Sequence, residues 1–436
     1  MTAADPTRES TAAEALAATG VTLRDAGPDD DVAGVKPRWV ALPESTEEIA
    51  AVLRVASAHG LAVVPVGGGT KLHWGRPPER CDLLIDTCCL NEVLEHASGD
   101  LVVRVQAGVT MGTLAQTLAR GGQELALDVP DPDATVGGTL ATAIAGPRRL
   151  RYGTARDLLI GATIVLADGT VAKSGGKVVK NVAGYDLGKL FTGSYGTLGV
   201  IAEATFRLHP LPADRRWVTA TYPISREYVD EHGERRFVND FPVDPLQVIG
   251  PVATSAAEPS AIEIDWPEVL FGPFTVAVLV EGSAAEDRAR AVQELLSAHG
   301  AQAGVSTGPP PWWGRPPGEE ILLEVRVPPG EIGTAMAEIG SAATADIRAR
   351  GSAATAVLHV ALPADVAPER AERFVTDMRD GVEAVGGRVF VVTAPEEIAR
   401  RVDRWGRVGA LGLMRRVKER FDPERVMAPG RFVGGI

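Results

Sequence analysis

V-G-G-T-L-A-T (Val136–Thr142), R-Y-G-T-A-R-D (Arg151–Asp157), G-G-K-V-V-K-N-V-A-G-Y-D (Gly175–Asp186) and G-S-Y-G-T-L-G-V-I (Gly193–Ile201) stand close together between Pro130 and Ile201. Glycine is the residue of choice where the backbone turns sharply or comes close to a flat or anionic group. The runs between these pieces, Ile160–Leu166 and Gly199–Phe206, read as strands. So much glycine inside a sheet-forming region implies a ligand to receive. The Asp168-Gly169 pair between two apolar runs signals a hairpin.

Working outward, a second glycine cluster lies upstream, P-V-G-G-G-T (Pro65–Thr70). Ser45 and Glu48 form a capping box before Ile49, Val52, Leu53 and Ala56, and Gly60 closes that helix. A buried strand, Leu61–Pro65, then enters the triple glycine, which makes a βαβ-like opening. This is not a dinucleotide-binding turn of the G-x-G-x-x-G kind, which needs a helix to follow. Lys71–Pro78 contains Gly75, Pro77 and Pro78 and cannot continue one. No G-x-x-x-x-G-K-[ST] occurs, so a Walker A loop is excluded. Further strands are expected at Asp82–Asp86, Leu101–Gln106 and Gln123–Ala126, with a helix Met111–Arg120 capped by Thr110.

After Pro210-Leu211-Pro212 the composition changes. Trp217–Tyr222 reads as a strand and Arg226–Asp244 as an irregular excursion. Strands at Phe274–Glu281, Ile321–Val327, Ala356–Leu362 and Val389–Val392 then alternate with helices at Ala285–His299, Glu331–Ile339 and Pro368–Val385. That rhythm predicts a sheet covered on one face by helices, ferredoxin-like. A last helix is expected over about Pro395–Phe421.

The chain has 436 residues, 45% of them hydrophobic and 23% charged, with a formal net charge of −13. A folded globular protein of two domains is expected, with no general surface for nucleic acid or anionic membrane. The sign reverses locally: Arg148 to Lys189 holds eight basic residues against three acidic ones. Cys81, Cys88 and Cys89 are too few for the four thiolates of a usual iron–sulfur cluster and lack C-x-x-C spacing. They read as reduced structural thiols of the cytosol. The N-terminus lacks the apolar core of a signal peptide, and no run approaches the length of a membrane span.

The pieces P-V-G-G-G-T, R-Y-G-x-x-x-D, K-N-V-A-G-Y-D and G-S-x-G-T-L-G-V-I, and the ending F-D-P-x-x-V-x-x-P-G-R (Phe421–Arg431), together resemble a known family. It is the FAD-binding domain of the vanillyl-alcohol oxidase or p-cresol methylhydroxylase superfamily. Similarity is closest to the family of FAD-binding E subunits of bacterial glycolate oxidases. The resemblance covers Arg38–Pro212 and the C-terminal dozen residues; beyond them it holds only in pattern.

The resemblance implies an α+β fold. A PCMH-type FAD-binding domain of two α+β subdomains (36–212) would follow a flexible tail (1–35). A ferredoxin-like cap (213–392) and a C-terminal segment returning to the FAD domain (393–436) would complete it. Main-chain amides of Gly67, Gly68, Gly69 and Thr70, with Pro65 and Lys71 beside them, would meet the pyrophosphate of FAD. Such a nest of amides needs no lysine. Gly137, Gly138 and Thr139, with Pro132 and Thr142, would flank the phosphate and flavin from the other side. The paired glycines would also offer their amides. Gly153 and Asp157 would shape the wall near the isoalloxazine, and Gly193, Gly196, Thr197, Gly199, Val200 and Ile201 would run along the dinucleotide. Many relatives attach flavin through a histidine where this chain has Gly69, so the FAD is expected to be non-covalent.

The family further implies oxidation of glycolate or a similar small 2-hydroxy acid. Electrons would pass to an iron–sulfur subunit, beside a second flavoprotein subunit. The location would be the cytoplasm, peripheral at the inner face of the membrane through those partners. A stand-alone 2-hydroxy-acid dehydrogenase and a non-catalytic flavin scaffold are the alternatives. No catalytic residue is assigned, and seven histidines without clustered spacing give no metal site. His359, in the strand L-H-V, could face the flavin. Trp312, Trp313 and Arg315, in a proline-rich loop, read as exposed residues of a substrate lid or subunit contact.

Overall fold

The computed structural model describes residues 6–176, 186–223, 225–229, 235–239, 243–269, 272–343 and 346–436. The chain forms two compact units. One comprises 1–145, 153–211 and 408–436, the other 146–152 and 212–407.

The first unit begins with α1 (Pro6–Ala17), β1 (Thr22–Asp25), β2 (Trp39–Leu42), α2 (Thr46–His59), β3 (Val63–Val66) and β4 (Leu83–Asp86). The four strands form a sheet in the order β1-β2-β4-β3, with β2, β4 and β3 parallel. Ser45 caps α2, its hydroxyl accepting from the Glu48 amide at 3.2 Å. The Glu48 carboxylate reaches one residue further back than a capping box requires, to the Glu44 amide at 2.8 Å. Ile49, Val52, Leu53 and Ala56 make one apolar stripe and are fully buried. Burying each large aliphatic side chain contributes about 1.5–3 kcal/mol.

Residues 6–35, expected as a flexible tail, are built into this unit. Ala12, Leu16 and Val21 are buried in the same core as α2, and β1 pairs antiparallel with β2. The apolar residues of α1 are alanines with the one leucine Leu16, so the stripe carries little signal until a partner surface covers it.

The unit continues through β5 (Val93–Ala97), β6 (Val102–Gln106), α3 (Met111–Ala119), β7 (Gln123–Glu124) and α4 (Val136–Thr142). Next come α5 (Arg149–Tyr152), which belongs to the second unit, then α6 (Ala155–Leu158), β8 (Leu159–Val165) and β9 (Val171–Gly175). After these follow α7 (Gly188–Phe191), β10 (Val200–Arg207) and β11 (His209–Pro210). A five-stranded antiparallel sheet runs β5-β6-β10-β8-β9. The Asp168-Gly169 turn joins β8 to β9, with Val165 opposite Val171. Both faces of this sheet are buried. Ile164, Ala204 and Phe206 join the core with α3 and α4, while Val165, Val200 and Ala202 join the core with α2. These are the two α+β subdomains, and α2 shares a core with both sheets.

The second unit continues from β12 (Arg215–Tyr222) to the antiparallel pair β13 (Ser225–Val229) and β14 (Arg235–Asn239), so these described residues of the excursion expected to be irregular are strands. Then come α8 (Pro245–Ala253), β15 (Ala261–Trp266), β16 (Phe274–Glu281), α9 (Ala285–Ser297) and β17 (Gly304–Ser306). The rest is β18 (Ile321–Arg326), α10 (Ile332–Ala342), β19 (Arg348–Ser352), β20 (Val357–Leu362), α11 (Pro368–Ala384), β21 (Arg388–Thr393) and α12 (Glu396–Arg401). One antiparallel sheet holds eight strands in the order β17-β12-β16-β15-β19-β20-β18-β21. It contains two ferredoxin-like βαββαβ arrangements, not one. β12-α8-β15-β16-α9-β17 is the first, β18-α10-β19-β20-α11-β21 the second, and β15 pairs with β19 to join them. Helices α8 to α11 bury their apolar faces in one core on one side of the sheet. The joining strands escaped sequence reading because they are charged: A-I-E-I-D-W and R-A-R-G-S. The expected single helix over Pro395–Phe421 is two, α12 and α13 (Leu411–Phe421), and α13 belongs to the first unit.

Candidate functional site

Strand β3 is the parallel edge of its sheet, and its free side is taken by the C-terminal segment. Val63 donates to Val426 O at 2.7 Å, and Ala428 donates to Val63 O at 2.8 Å. The strand then runs into Gly67-Gly68-Gly69. A Cβ on Gly67 would overlap the Thr135 hydroxyl, and one on Gly68 the Asp133 carbonyl. Gly69 sits at φ +69°, which an L side chain rarely adopts. The loop therefore lies backbone-close against the N-terminus of α4, an approach only glycine permits. Among the described residues, no backbone carbonyl takes the amides of Gly67, Gly68 or Gly69.

In front of these amides is a cavity of about 820 Å³, including its open mouth. Pro65, Gly67, Gly68, Gly69, Thr70 and Lys71 line one side. Gly137, Gly138 and Thr142 of α4 line a second, and Gly196, Gly199, Val200 and Ile201 a third. All of these lie in the first unit.

The paired glycines of α4 play a different part from the one expected. Gly137 donates its amide to Ala107 O at 2.8 Å, and Gly138 donates to Thr135 Oγ1 at 3.2 Å. Their amides are spent on docking and capping the helix. A Cβ on Gly137 would come within 3.0 Å of Ala107 Cβ, so the missing side chain lets α4 dock closely on Ala107.

Six expected residues do not line the cavity. Pro132 is exposed, and its carbonyl receives the Gly112 amide of α3. Thr139 is buried on the far side of α4. Gly153 makes a turn at φ +82°, and Asp157 caps α6, accepting from the Thr154 amide and hydroxyl at 2.8 Å each. That backbone hydrogen bond, above all, holds the Asp157 carboxyl below its ordinary 3.8. Gly193 bonds back to Leu140 O, and the Thr197 hydroxyl to Ser194 O. The sequence reading also missed lining residues: Thr87, Thr135, Ser194, Tyr195 and Arg431. Thr135 carried a signal, since it stands where an N-cap for α4 belongs. Arg431 was inside the C-terminal motif but had no reason, in sequence, to be near Gly67.

The described residues of the basic run Arg148–Lys189 do not converge on the cavity. Arg148 belongs to the second unit, where it lies 3.8 Å from Glu281, and Lys189 pairs with Asp186 at 3.6 Å. Lys177–Tyr185, with most of the K-N-V-A-G-Y-D motif, lies outside the described residues. Among the described residues, the lining cations are Lys71 and Arg431. Burial pushes the Lys71 ammonium below its ordinary 10.5.

In the second unit, Trp312 and Trp313 are half-buried, not exposed as expected. Trp313 packs edge-on against Trp217 at 6.3 Å, and the Arg350 guanidinium stands 5.7 Å over Trp312. The loop is fastened by Arg350 donating to Arg315 O and Pro316 O, each at 3.2 Å, while Arg315 stays exposed. His359 lies on the sheet face opposite α8–α11, its Nε2 3.5 Å from Glu324 Oε2 and its neighbour across the ladder Arg350. Burial opposes ionisation of Glu324, but Arg326 and His359 outweigh it and hold the carboxyl well below the usual range.

Residues 37–175 match the family model of the FAD binding domain. The glycolate oxidase subunit GlcD of Bacillus subtilis (strain 168) is 37% identical over 190 residues, 43% of this chain and 40% of that protein. The D-lactate dehydrogenase of Archaeoglobus fulgidus is 37% identical over 188 residues, 43% of this chain and 42% of that protein. The matched stretch thus spans less than half the length of these relatives. The solved structure of p-cresol methylhydroxylase with substrate bound superposes with a TM-score of 0.72 at 16% identity, over 98% of this chain and 97% of that one. That likeness is one of fold.

Proposed function

From the premise that the chain carries an FAD-binding domain, we propose that it is an FAD-dependent oxidoreductase acting on a small 2-hydroxy acid such as glycolate or D-lactate, with the 2-oxo acid as product. One observation carries the reading of the cavity. The amides of Gly67–Gly69 give no hydrogen bond to any described carbonyl, and Thr135 and Asp133 stand so close that a Cβ on Gly67 or Gly68 would overlap them. Uncommitted amides at a positive-φ turn suit a diphosphate. FAD, when bound, supplies the two-electron acceptor for the reaction. Gly67, Gly68, Gly69 and Thr70 would hold its anionic part, and Gly137, Gly138 and Thr142 would line another side. Gly196, Gly199, Val200 and Ile201 would exclude water along the third side.

The FAD is non-covalent in this reading, because Gly69 offers no nucleophile. The named activities of the glycolate oxidase subunit and the D-lactate dehydrogenase support a 2-hydroxy acid as substrate. Electrons would leave to a separate iron–sulfur subunit, with a second flavoprotein subunit in the complex. The chain would be cytoplasmic, peripheral at the membrane through those partners. Among the described residues, no helix is long and apolar enough to cross a membrane.

The test uses the purified full chain loaded with FAD. Acid precipitation should leave the yellow colour in the supernatant. Anaerobic addition of glycolate or D-lactate should bleach the flavin. A spectrum that neither acid changes would remove the oxidoreductase reading, and colour retained in the pellet would remove the non-covalent one.

A further inference from the structure

The loop that carries the triple glycine continues through Leu72 to Trp74, and one distant side chain takes both of those carbonyls. Arg431 Nη2 donates to Leu72 O at 3.0 Å and to Trp74 O at 2.9 Å, across 359 and 357 residues of chain. The backbone of Arg431 is fixed as well. Its carbonyl receives the Arg76 amide at 3.0 Å, and Pro429 O receives the Glu79 amide at 2.8 Å. Arg431 is 4% exposed, and it lines the cavity together with Gly67, Gly69 and Lys71. The two carbonyl oxygens orient the guanidinium, and its planar fork matches phosphate oxygens.

Behind Arg431 the same segment is anchored in the core. Lys418 Nζ donates to Asp422 Oδ2 at 2.6 Å, Thr197 O at 2.7 Å and Met427 O at 2.7 Å. Asp422, fully buried, accepts the Val426 and Met427 amides at 2.8 Å each. Thr197 adjoins the third side of the cavity, and Val426 and Ala428 hydrogen-bond β3, which leads into the first side. A charged group is thus held rigidly beside the uncommitted amides by elements from both ends of the chain.

We propose that Arg431 is a binding residue for the diphosphate of the cofactor, which makes the C-terminal segment part of the nucleotide site. This rests on the FAD reading above. Phosphate charge would be met by the Arg431 guanidinium in addition to the amide nest.

The experiment titrates the full-length apo protein, and its Arg431→Gln and Arg431→Lys variants, with three probes. These are FAD, ADP (diphosphate without isoalloxazine) and riboflavin (isoalloxazine without phosphate). Arg431→Gln should weaken FAD and ADP in parallel, by about 10- to 100-fold, as expected for loss of a charge-assisted contact. Arg431→Lys should fall between, and riboflavin should bind all three alike. Unchanged FAD and ADP affinity in Arg431→Gln overturns the assignment, as does a loss confined to FAD or one shared by riboflavin. If Arg431→Gln fails to fold, Arg431→Lys decides: a parallel loss of FAD and ADP affinity with riboflavin unchanged supports the contact, and FAD and ADP affinity equal to wild type overturns it. A wild type that takes up neither FAD nor ADP sinks the FAD reading itself, and this inference with it.

Discussion

At the scale of single residues, the glycines that looked alike in sequence divide into two uses. Gly67, Gly68 and Gly69 keep their amides uncommitted among the described residues, while Gly137 and Gly138 spend theirs on Ala107 and Thr135. The distinction decides which substitution is informative. Gly68 faces the Asp133 carbonyl so closely that even a methyl group must push the loop away. Overpacking of this kind costs about 1–3 kcal/mol. Because the loop moves off its cavity position, Gly68→Ala should weaken FAD binding by about tenfold or more, one decade per 1.4 kcal/mol. Flavin fluorescence titration measures this, and affinity equal to wild type would contradict the nest. Which glycines matter was legible as a pattern, but their amide partners were not, because Ala107 is thirty positions from Gly137 and hydrogen-bond partners are set by docking.

At the scale of elements, local signals predicted α2, the β8–β9 hairpin and the strand into the triple glycine. Caps, turn dipeptides and apolar spacing act within a few residues, so they survive outside their tertiary context. The charged strands β15 and β19 were missed because their alternation puts Glu263, Asp265 and Arg350 on one face, where Asp265 stands opposite Arg350 across the ladder. Arg350 meets Asp265 at 2.7 Å. A second polar junction on that unit has a measurable consequence. Glu281, at the end of β16, receives the Tyr152 hydroxyl at 3.0 Å and Arg215 Nε at 2.8 Å, with Arg148 at 3.8 Å. Burial alone would raise its pKa, but the Arg215 hydrogen bond and the two guanidinium charges hold it below the ordinary 4.5. A carboxyl depressed in the folded state stabilises above its unfolded pKa, and that stability disappears as pH falls through the folded value. Urea unfolding from neutral pH to below 4.5 should therefore show stability falling on the acid side, and Glu281→Gln should flatten that fall. An identical acid slope in the variant would refute the linkage.

At the scale of the whole molecule, the last residues of the chain complete a structure begun by the first hundred. Lys418 reaches Thr197 O across 221 residues, and Val426 and Ala428 extend the β3 edge. Removing one member of a buried ion pair leaves the other charge uncompensated, which costs about 3–5 kcal/mol. Lys418→Met should lose stability of that order in chemical denaturation and should weaken FAD binding with it; a midpoint within error of wild type would contradict this role. The sequence by itself determined that the N-terminal half is a glycine-lined α+β nucleotide domain, because the constraints involved are local: no Cβ, fixed turns, short apolar periods. It also determined that β-α alternation follows. Only the tertiary structure decided that two ferredoxin-like arrangements share one sheet, that residues 6–35 belong to the core, and that Arg431 stands beside Gly67. Those outcomes depend on which surfaces meet after the chain has closed loops hundreds of residues long, and the energy that selects among such closures comes from packing and buried hydrogen bonds that no stretch of sequence contains alone.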